Sequence, residues 1–292
     1  MISIITAVYN QLDMNRLFWD YLTKYTELPF ELIIIDNGST DGSREFFQSL
    51  PQDIVKVIAN DGNYSYPHCQ NQGIEAAKYD NMVFLNNDLI VPKHWDKRLM
   101  KVLGKNDRDI VSFGSNDRLY SEAVTAKVSH RFKWIKYPVI FLFGQSTFSL
   151  KLMLRLCYGN WEKYTEKIFR RYGYSRTIGF SGSAVAMTRR GVELLNAWDP
   201  ALQCADYNLF YSSCNRAETY KDMQPMSIVN GIFIQHYRRL TFYGEKWPPF
   251  KDAENIKDLS INWTDEQIDR WYNFMQTFAI CEEEHQQFKM KP

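Results

Sequence analysis

The first hundred residues predict an α/β protein of the doubly wound kind, a mostly parallel, Rossmann-like sheet with helices on both faces. Three observations carry that prediction. Apolar runs such as FELIIID and NMVFL are continuous rather than alternating, as in strands buried on both sides. Stretches with apolar residues at helical spacing separate them, so that strand and helix alternate. The runs end in polar loops, DNGSTDGS and NNDLIVP among them.

ISIITAVY reads as the first strand, and residues 13–26 as a helix with Leu17, Tyr21, Leu22 and Tyr25 on one face. FELIIID is the second strand. SREFFQSL is the helix after it, with Ser39, Thr40 or Asp41 available as its cap. IVKVIAN is a third strand, QNQGIEAAKY a helix and NMVFLNND a fourth strand. Beyond Asp109 the pattern changes. DIVSFGSN is a short strand, then comes a basic aromatic segment, and TIGFSGSAVAMTRRGVELL returns to strand and helix. SIVNGIFIQHY is the last β-rich run, and DEQIDRWYNFMQTFAI is a helix opened by Thr264, with Glu266 and Gln267 nearby.

At 292 residues the chain can bury a sizeable core, and 45% hydrophobic with 24% charged residues describes an ordinary globular protein. The five cysteines include no C-x-x-C pair and are odd in number, which disfavours a disulfide framework or a zinc site and points to a reducing, cytoplasmic compartment. MISIITAVYN lacks the basic start of a signal peptide and reads as a strand. The longest uncharged run, residues 137–150, is 14 residues and contains Pro138 and Gly144, too short for an ordinary membrane span. The net charge of +1 hides an asymmetry. Residues 127–176 hold eleven Lys/Arg against Glu162 and Glu166, a local +9, so the remainder sums to −8. A basic section on an acidic body is expected to meet something anionic.

Polar clusters stand where strands end: Thr6, Tyr9 and Asn10 after the first, Asp36, Asn37 and Ser39 after the second, Asn86, Asn87 and Asp88 after the fourth. In a parallel sheet these ends share one edge, where ligands bind. A single Asp there is an ordinary turn former or cap. Three clusters in successive units point to a common cleft.

The sequence resembles the family 2 glycosyltransferases, inverting nucleotide-sugar enzymes of the GT-A fold. ISIITAVYN, ELIIIDNGSTDGS and NQGIEAAKYDNMVFLNNDLIVPKHW carry the resemblance over residues 1–103, and a weaker match resumes over residues 178–215 and ends around His236. It implies one GT-A domain over residues 1–245, with a donor-binding half (1–110), a basic aromatic insertion (127–176) and an acceptor half (177–245), followed by a helical extension (246–292). It also implies a divalent Mn or Mg ion held by Asp88, the last position of the family's D-x-D motif, whose first position is here the uncharged Asn86. Hard oxygen ligands and a divalent cation suit a leaving diphosphate, whose charge must be stabilised as it develops. Asp36 is then expected to accept hydrogen bonds from the nucleoside, with Thr6, Tyr9 and Asp61 lining the same pocket.

An inverting enzyme needs a base for the acceptor hydroxyl. The family's motif falls on LQCADYNLFYSS, which makes Asp206 the expected base; Ala205 and Asn208 stand where acids are usual. A carboxylate of ordinary pKa would already serve at neutral pH. FSGSAVAMTRRG resembles the strand that contacts donor or acceptor, with Ser181 and Gly182 allowing close approach. His236 stands where a late histidine meets the metal or the diphosphate, and Arg238 and Arg239 are candidate diphosphate clamps. The expected partners are a nucleoside-diphosphate sugar and a glycan or lipid-linked glycan acceptor in cell-surface polysaccharide synthesis. Residues 127–176 would touch the inner face of a membrane. Nucleic acid ranks lower, because no recognition motif accompanies the charge. Against a nucleotidyltransferase, TAVYNQLDMN offers neither glycine nor lysine for a phosphate loop. A non-catalytic sugar-nucleotide or glycan-binding protein of the same fold is the alternative, and a glycosidase is disfavoured for want of a separate carboxylate pair.

Overall fold

A computed structural model describes residues 1–202, 204–238 and 249–281. Arg239 and most of the end of the chain lie outside the described residues. In chain order the elements are β1 (Ile2–Val8), α1 (Leu12–Tyr25), β2 (Phe30–Asp36), α2 (Ser43–Gln48), β3 (Val55–Ala59), α3 (Tyr66–Ala76), β4 (Asn81–Leu85) and β5 (Leu89–Ile90). Then come α4 (Trp95–Leu99), β6 (Ile110–Ser115), α5 (Glu122–Phe143), α6 (Thr147–Tyr158), α7 (Trp161–Tyr172), β7 (Arg176–Ile178) and β8 (Ala184–Thr188). The last are α8 (Arg189–Leu195), α9 (Ala205–Thr219), β9 (Ser227–His236) and α10 (Asp265–Gln276).

One sheet runs in the order β3-β2-β1-β4-β8-β6-β9-β5, with β7 beside β9. β3, β2, β1 and β4 are mutually parallel, as the continuous apolar runs predict. β8 enters antiparallel between β4 and β6, and β9 lies parallel to β6. The reversal of β8 is invisible in its sequence, because a strand buried on both faces reads the same in either direction.

Alternate residues of each strand feed two cores. Ile2, Ile4, Leu32, Ile34, Val83 and Leu85 meet α1 and the α5–α7 region, while Ile5, Ile33, Ile35, Met82 and Phe84 meet the α8, α9 and α10 side. α3 lies so close to β1 that a Cβ on Gly73 would sit 2.2 Å from Ile5 Cγ2. Thr264 caps α10 in a reciprocal box with Gln267, as its sequence predicts. α2 instead starts after Gly42, in the left-handed region, and Asp41 Oδ1 accepts from Ser43 N–H at 3.0 Å.

Strand register sets where the loops emerge. Val8 pairs with Asp36, Asp36 with Ala59, and Leu85 with Ala184. β1, β2 and β3 therefore end level, and β4, whose Phe84 pairs with Ile5, ends two residues earlier, so the segment after it rises to the same rim. Leu89 pairs with His236, which brings the segment after β4 against the end of β9.

Candidate active site

The rim gathers the sequence-predicted residues, but in different states. Asp36 closes β2 with its side chain buried. Its Oδ2 accepts from Arg44 Nε at 2.7 Å and from Ser39 N–H at 3.3 Å, while Oδ1 has no partner in the protein. Thr6, opposite Ile34 and so two residues below Asp36 on the neighbouring strand, also buries an unpartnered Oγ1. Buried acceptors and donors are seldom left so, and both atoms suit a polar ligand. Tyr9 is partly buried.

Asn10 and Asn37 are differently employed. Asn10 clamps the following loop, accepting from Thr40 N–H and donating its backbone N–H to Ser39 Oγ, both at 2.8 Å. The Asn37 amide donates to Tyr64 O at 2.8 Å and accepts from Asn60 at 2.9 Å. Asp61 is exposed. It accepts from Tyr64 OH at 3.0 Å and pairs with Lys251 at 2.7 Å, and Lys251 first, then Tyr64, hold its carboxyl below the usual range.

Past β4, Asn86 donates its N–H to Ser183 O at 3.0 Å, and Asn87 reaches Asn15 Oδ1 at 2.7 Å. The buried Asp88 faces His236, with Oδ1 3.1 Å from Nε2. The other imidazole nitrogen, Nδ1, meets Asp117 Oδ2, and Arg238 Nε lies 3.0 Å from Asp117 Oδ1. Asn116 fixes the same backbone twice, accepting from His236 N–H at 2.8 Å and donating to His236 O at 2.9 Å. Asp88, Asp117 and His236 thus come from the ends of β4, β6 and β9. Burial opposes charging the imidazole, yet Asp88 and Asp117 outweigh it and raise His236 to about 10. Burial likewise opposes ionising Asp117, but His236 and then Arg238 override it and hold its carboxyl low.

On the other side of Asn86 stands Asp206, in the first turn of α9. Ser181, Gly182 and Ser183 form the turn into β8. A Cβ on Gly182 would lie 2.1 Å from Asp206 Oδ2, so only glycine admits the carboxylate there. Asp206 Oδ1 accepts from Tyr207 N–H at 2.9 Å. Burial pushes this carboxyl up to about 6, against the lowering effect of that bond, so its pKa is not the ordinary one the sequence led us to expect. Ser181 spends its own groups internally: its hydroxyl meets Ser115 Oγ at 2.8 Å and Ser183 Oγ at 3.1 Å, and its N–H donates to Ser112 Oγ at 2.8 Å.

Three residues of this neighbourhood escape sequence reasoning. Asp117 had a signal, since SND follows β6 as the other clusters follow their strands. Tyr66 and Gln70 had none, being one turn apart inside α3. Tyr66 OH and both amide atoms of Gln70 are buried without partners. Burial, then the nearby Asp206 carboxylate, pushes the Tyr66 phenol well above its usual value.

No group of three or more His, Cys, Asp or Glu among the described residues is arranged to hold a metal ion by itself. The donor chemistry nevertheless fits a partial site. Asp88 offers a carboxylate, Asp117 holds His236 Nδ1, and His236 Nε2, which faces Asp88 Oδ1 at 3.1 Å, would become a ligand once an ion displaced its proton. Ions of the Mg type commonly take one or two protein ligands and complete their shell with phosphate oxygens and water.

Comparisons with known proteins give the family and the fold. The family model "Glycosyl transferase family 2" matches residues 3–192. The glycosyltransferase GlyG of Streptococcus pneumoniae is 26% identical over 113 residues, 38% of this chain and 38% of that protein. The glycosyltransferase AglE of Haloferax volcanii is 26% identical over 129 residues, 43% of this chain and 42% of that protein. The matches span about two-fifths of these relatives' own length. The solved structure of GalNAc-T7 with UDP, GalNAc and Mn2+ aligns with a TM-score of 0.54 at 13% identity, over 94% of this chain and 48% of that one. That likeness bears out the GT-A fold.

Proposed function

The chain belongs to glycosyl transferase family 2, and from that premise we propose that it moves a sugar from a nucleoside-diphosphate donor to an acceptor hydroxyl with inversion. One observation carries the reading. Asp88 and Asp206, more than a hundred residues apart, lie along one rim, joined through the Asn86–Ser183 hydrogen bond and the contact of Gly182 with Asp206.

Roles follow from the surroundings. Asp36 Oδ1 and Thr6 Oγ1 are the free polar atoms at the nucleoside end. Asp88 and His236 Nε2 would hold a divalent ion, with Asp117 orienting the imidazole and Arg238 beside it. When bound, the ion neutralises charge on the departing diphosphate. Asp206 Oδ2 takes the proton of the acceptor hydroxyl as that oxygen attacks the anomeric carbon from the face opposite the diphosphate. The bond from the anomeric carbon to the diphosphate oxygen breaks, and the diphosphate leaves with the electron pair. A carboxylate with a pKa of about 6 is the stronger base for being desolvated, yet still ionised at neutral pH. The hydroxyl belongs to a glycan or lipid-linked glycan, in the synthesis of a cell-surface polysaccharide.

The test is release of free nucleoside diphosphate from a panel of UDP-, GDP- and dTDP-sugars with and without Mn2+. Turnover with one donor, lost in Asp206→Asn while that donor still raises the melting temperature, is the expected result. Donor-induced stabilisation of the unmodified protein without turnover under any condition would instead establish a binding protein, a reading kept open by Asn86, Ala205 and Asn208 in place of acids.

A further inference from the structure

The described residues include twelve large hydrophobic side chains that are well exposed, and seven of them fall in α5 and α6. The density is greatest at the turn between these helices, where Phe141, Leu142, Phe143 and Phe148 are 88%, 67%, 52% and 63% exposed. Single exposed apolar residues are ordinary, but a contiguous group marks an interaction surface. α5 is two-faced: Val128, Phe132, Val139 and Ile140 point inward, while Trp134, Tyr137 and Phe141, at i, i+3 and i+7, point out.

The charge on this hairpin selects the partner. Between Glu122 and Glu162 there are six Lys/Arg and no Asp or Glu. Lys127, Arg131, Lys133, Lys151 and Arg155 are exposed, and Lys136 is buried. The facing acids are Asp13 and Asp20 on α1; Asp13 accepts from Thr147 and Asp20 lies 3.7 Å from Lys151, so both sit at the α6 flank. The outer face of α5 therefore combines cations with aromatic bulk. A second copy of this chain would bring an equally cationic surface against it, whereas anionic headgroups complement the charge while the acyl boundary accepts the rings. No helix among the described residues is long and apolar enough to cross a membrane, which leaves contact from the surface.

The hairpin also sits on the rim. Its turn is tied to the Asn10–Asp13 segment through Gln145 with Gln11 and through Thr147 Oγ1 with Asp13 at 2.7 Å. A cavity of about 160 Å³ has Lys133 and Tyr137 on one side, Asn116 and Arg238 on the other.

We propose that the α5–α6 hairpin docks this protein on an anionic lipid bilayer, seating Phe141, Leu142, Phe143 and Phe148 at the interface beside the candidate site. The inference rests on exposure and charge and stands whether or not the site transfers sugar.

The experiment is co-sedimentation of the full chain with phosphatidylcholine vesicles and with phosphatidylcholine vesicles containing phosphatidylglycerol, at low and high salt. We expect binding that needs phosphatidylglycerol and weakens with salt. Changing Phe141, Leu142, Phe143 and Phe148 together to Ser should reduce it at least tenfold with an unchanged melting temperature. A variant with Lys127→Gln, Lys133→Gln and Arg155→Gln should lose most of the salt dependence. If the fourfold variant fails to fold, Phe141→Ser alone serves, with a loss of several-fold. Equal binding by the fourfold variant overturns the proposal, as does failure of the unmodified protein to bind anionic vesicles at low salt. Sedimentation velocity showing a dimer that the fourfold variant abolishes, with no vesicle binding, assigns the surface to a second copy instead.

Discussion

The candidate rim and the outer face of the α5–α6 hairpin are built by opposite means. The rim takes its side chains from β2, β4, β6, β9 and the start of α9, and each is held by partners distant in sequence: Asp88 by His236, Asn86 by Ser183, Asp206 by Gly182. The hairpin anchors its inner face on distant residues such as Asp13 and Tyr237, but its outer face is local. Ser121 and Ser146 cap its two helices, and Phe143 meets Phe148 across the turn with ring centroids 5.8 Å apart. Position in the rim is therefore a property of the whole sheet, while the hairpin can change its surface without disturbing the sheet. Rim residues are expected to trade stability against chemistry, and exposed hairpin residues to leave both untouched in solution.

The sharpest test of that contrast is Asp206→Asn. Loss of a positioned general base costs roughly 10²–10⁴ in rate, so transfer should fall by about three orders of magnitude, with donor binding retained. Stability should move the other way. Asp206 is raised in the folded state, so between its unfolded value near 4 and about 6 the native protein holds more protons than the unfolded chain, and stability falls as pH rises through that window. The asparagine removes a strained charge while keeping an acceptor for Tyr207 N–H, and at pH 7 it should stabilise by on the order of 1–2 kcal/mol in urea melts. A destabilised variant would mean that the carboxylate is an ordinary part of the fold. In the unmodified protein the same group predicts that kcat/KM for the proposed transfer declines below about pH 6 rather than near pH 4. A profile flat to about pH 5 would remove Asp206 from the role.

The next largest effect is expected at Asp117. If its contact with His236 Nδ1 orients the ring for a metal, Asp117→Asn should weaken Mn2+ binding about 10- to 100-fold in calorimetry with donor present. Unchanged affinity would leave Asp117 a purely structural partner of Arg238. Gly182→Ala is a milder probe of the same rim. A methyl 2.1 Å from Asp206 Oδ2 must displace it. The rate should fall while donor-induced stabilisation persists, and an unaltered rate would show that this contact does not set the position of the base.

How much of this was legible in the sequence divides along the same line. Strand ends can be read from where continuous apolar runs stop, so the positions of Asp36 at the end of β2 and of Asp88 just after β4 were legible. A strand's direction and neighbours cannot be read that way, so the insertion of β8 between β4 and β6 had to come from pairing. That insertion is what carries Gly182 to Asp206. Asp61 also follows a strand, but Lys251, from far along the chain, ties it to the exposed surface. Gln70 and Tyr66 look like any helix interior until burial shows their polar atoms without partners. The basic segment was recognised as one unit, yet it divides. α7 packs against β9, where a Cβ on Gly231 would sit 1.9 Å from the carbonyl of Gly173 just after the helix, and Arg176 is buried in β7, donating to Ser227 Oγ and Gln224. α7 still exposes Lys163, Lys167, Arg170 and Arg171, but among the described residues of the segment only α5 and α6 join exposed cations to exposed large apolar side chains.

The smallest expected effect completes the contrast. Phe141 is the most exposed of the large apolar side chains among the described residues, so Phe141→Ser should alter unfolding free energy by no more than about 0.5 kcal/mol, as at other open surface positions. Phe132, nine residues earlier on the same helix, is buried, with its ring edge-on to Tyr237 at 5.7 Å. Phe132→Ala removes a packed ring and should cost about 3–5 kcal/mol. Urea titrations of the two variants read both numbers, and nucleoside diphosphate release with a water-soluble acceptor should be unchanged in Phe141→Ser. A loss above about 1 kcal/mol at Phe141 would mean that the turn is packed against protein in solution. The hairpin would then belong to the fold as the rim does, because a side chain free to enter a bilayer has nothing to lose when it is removed from water-facing positions.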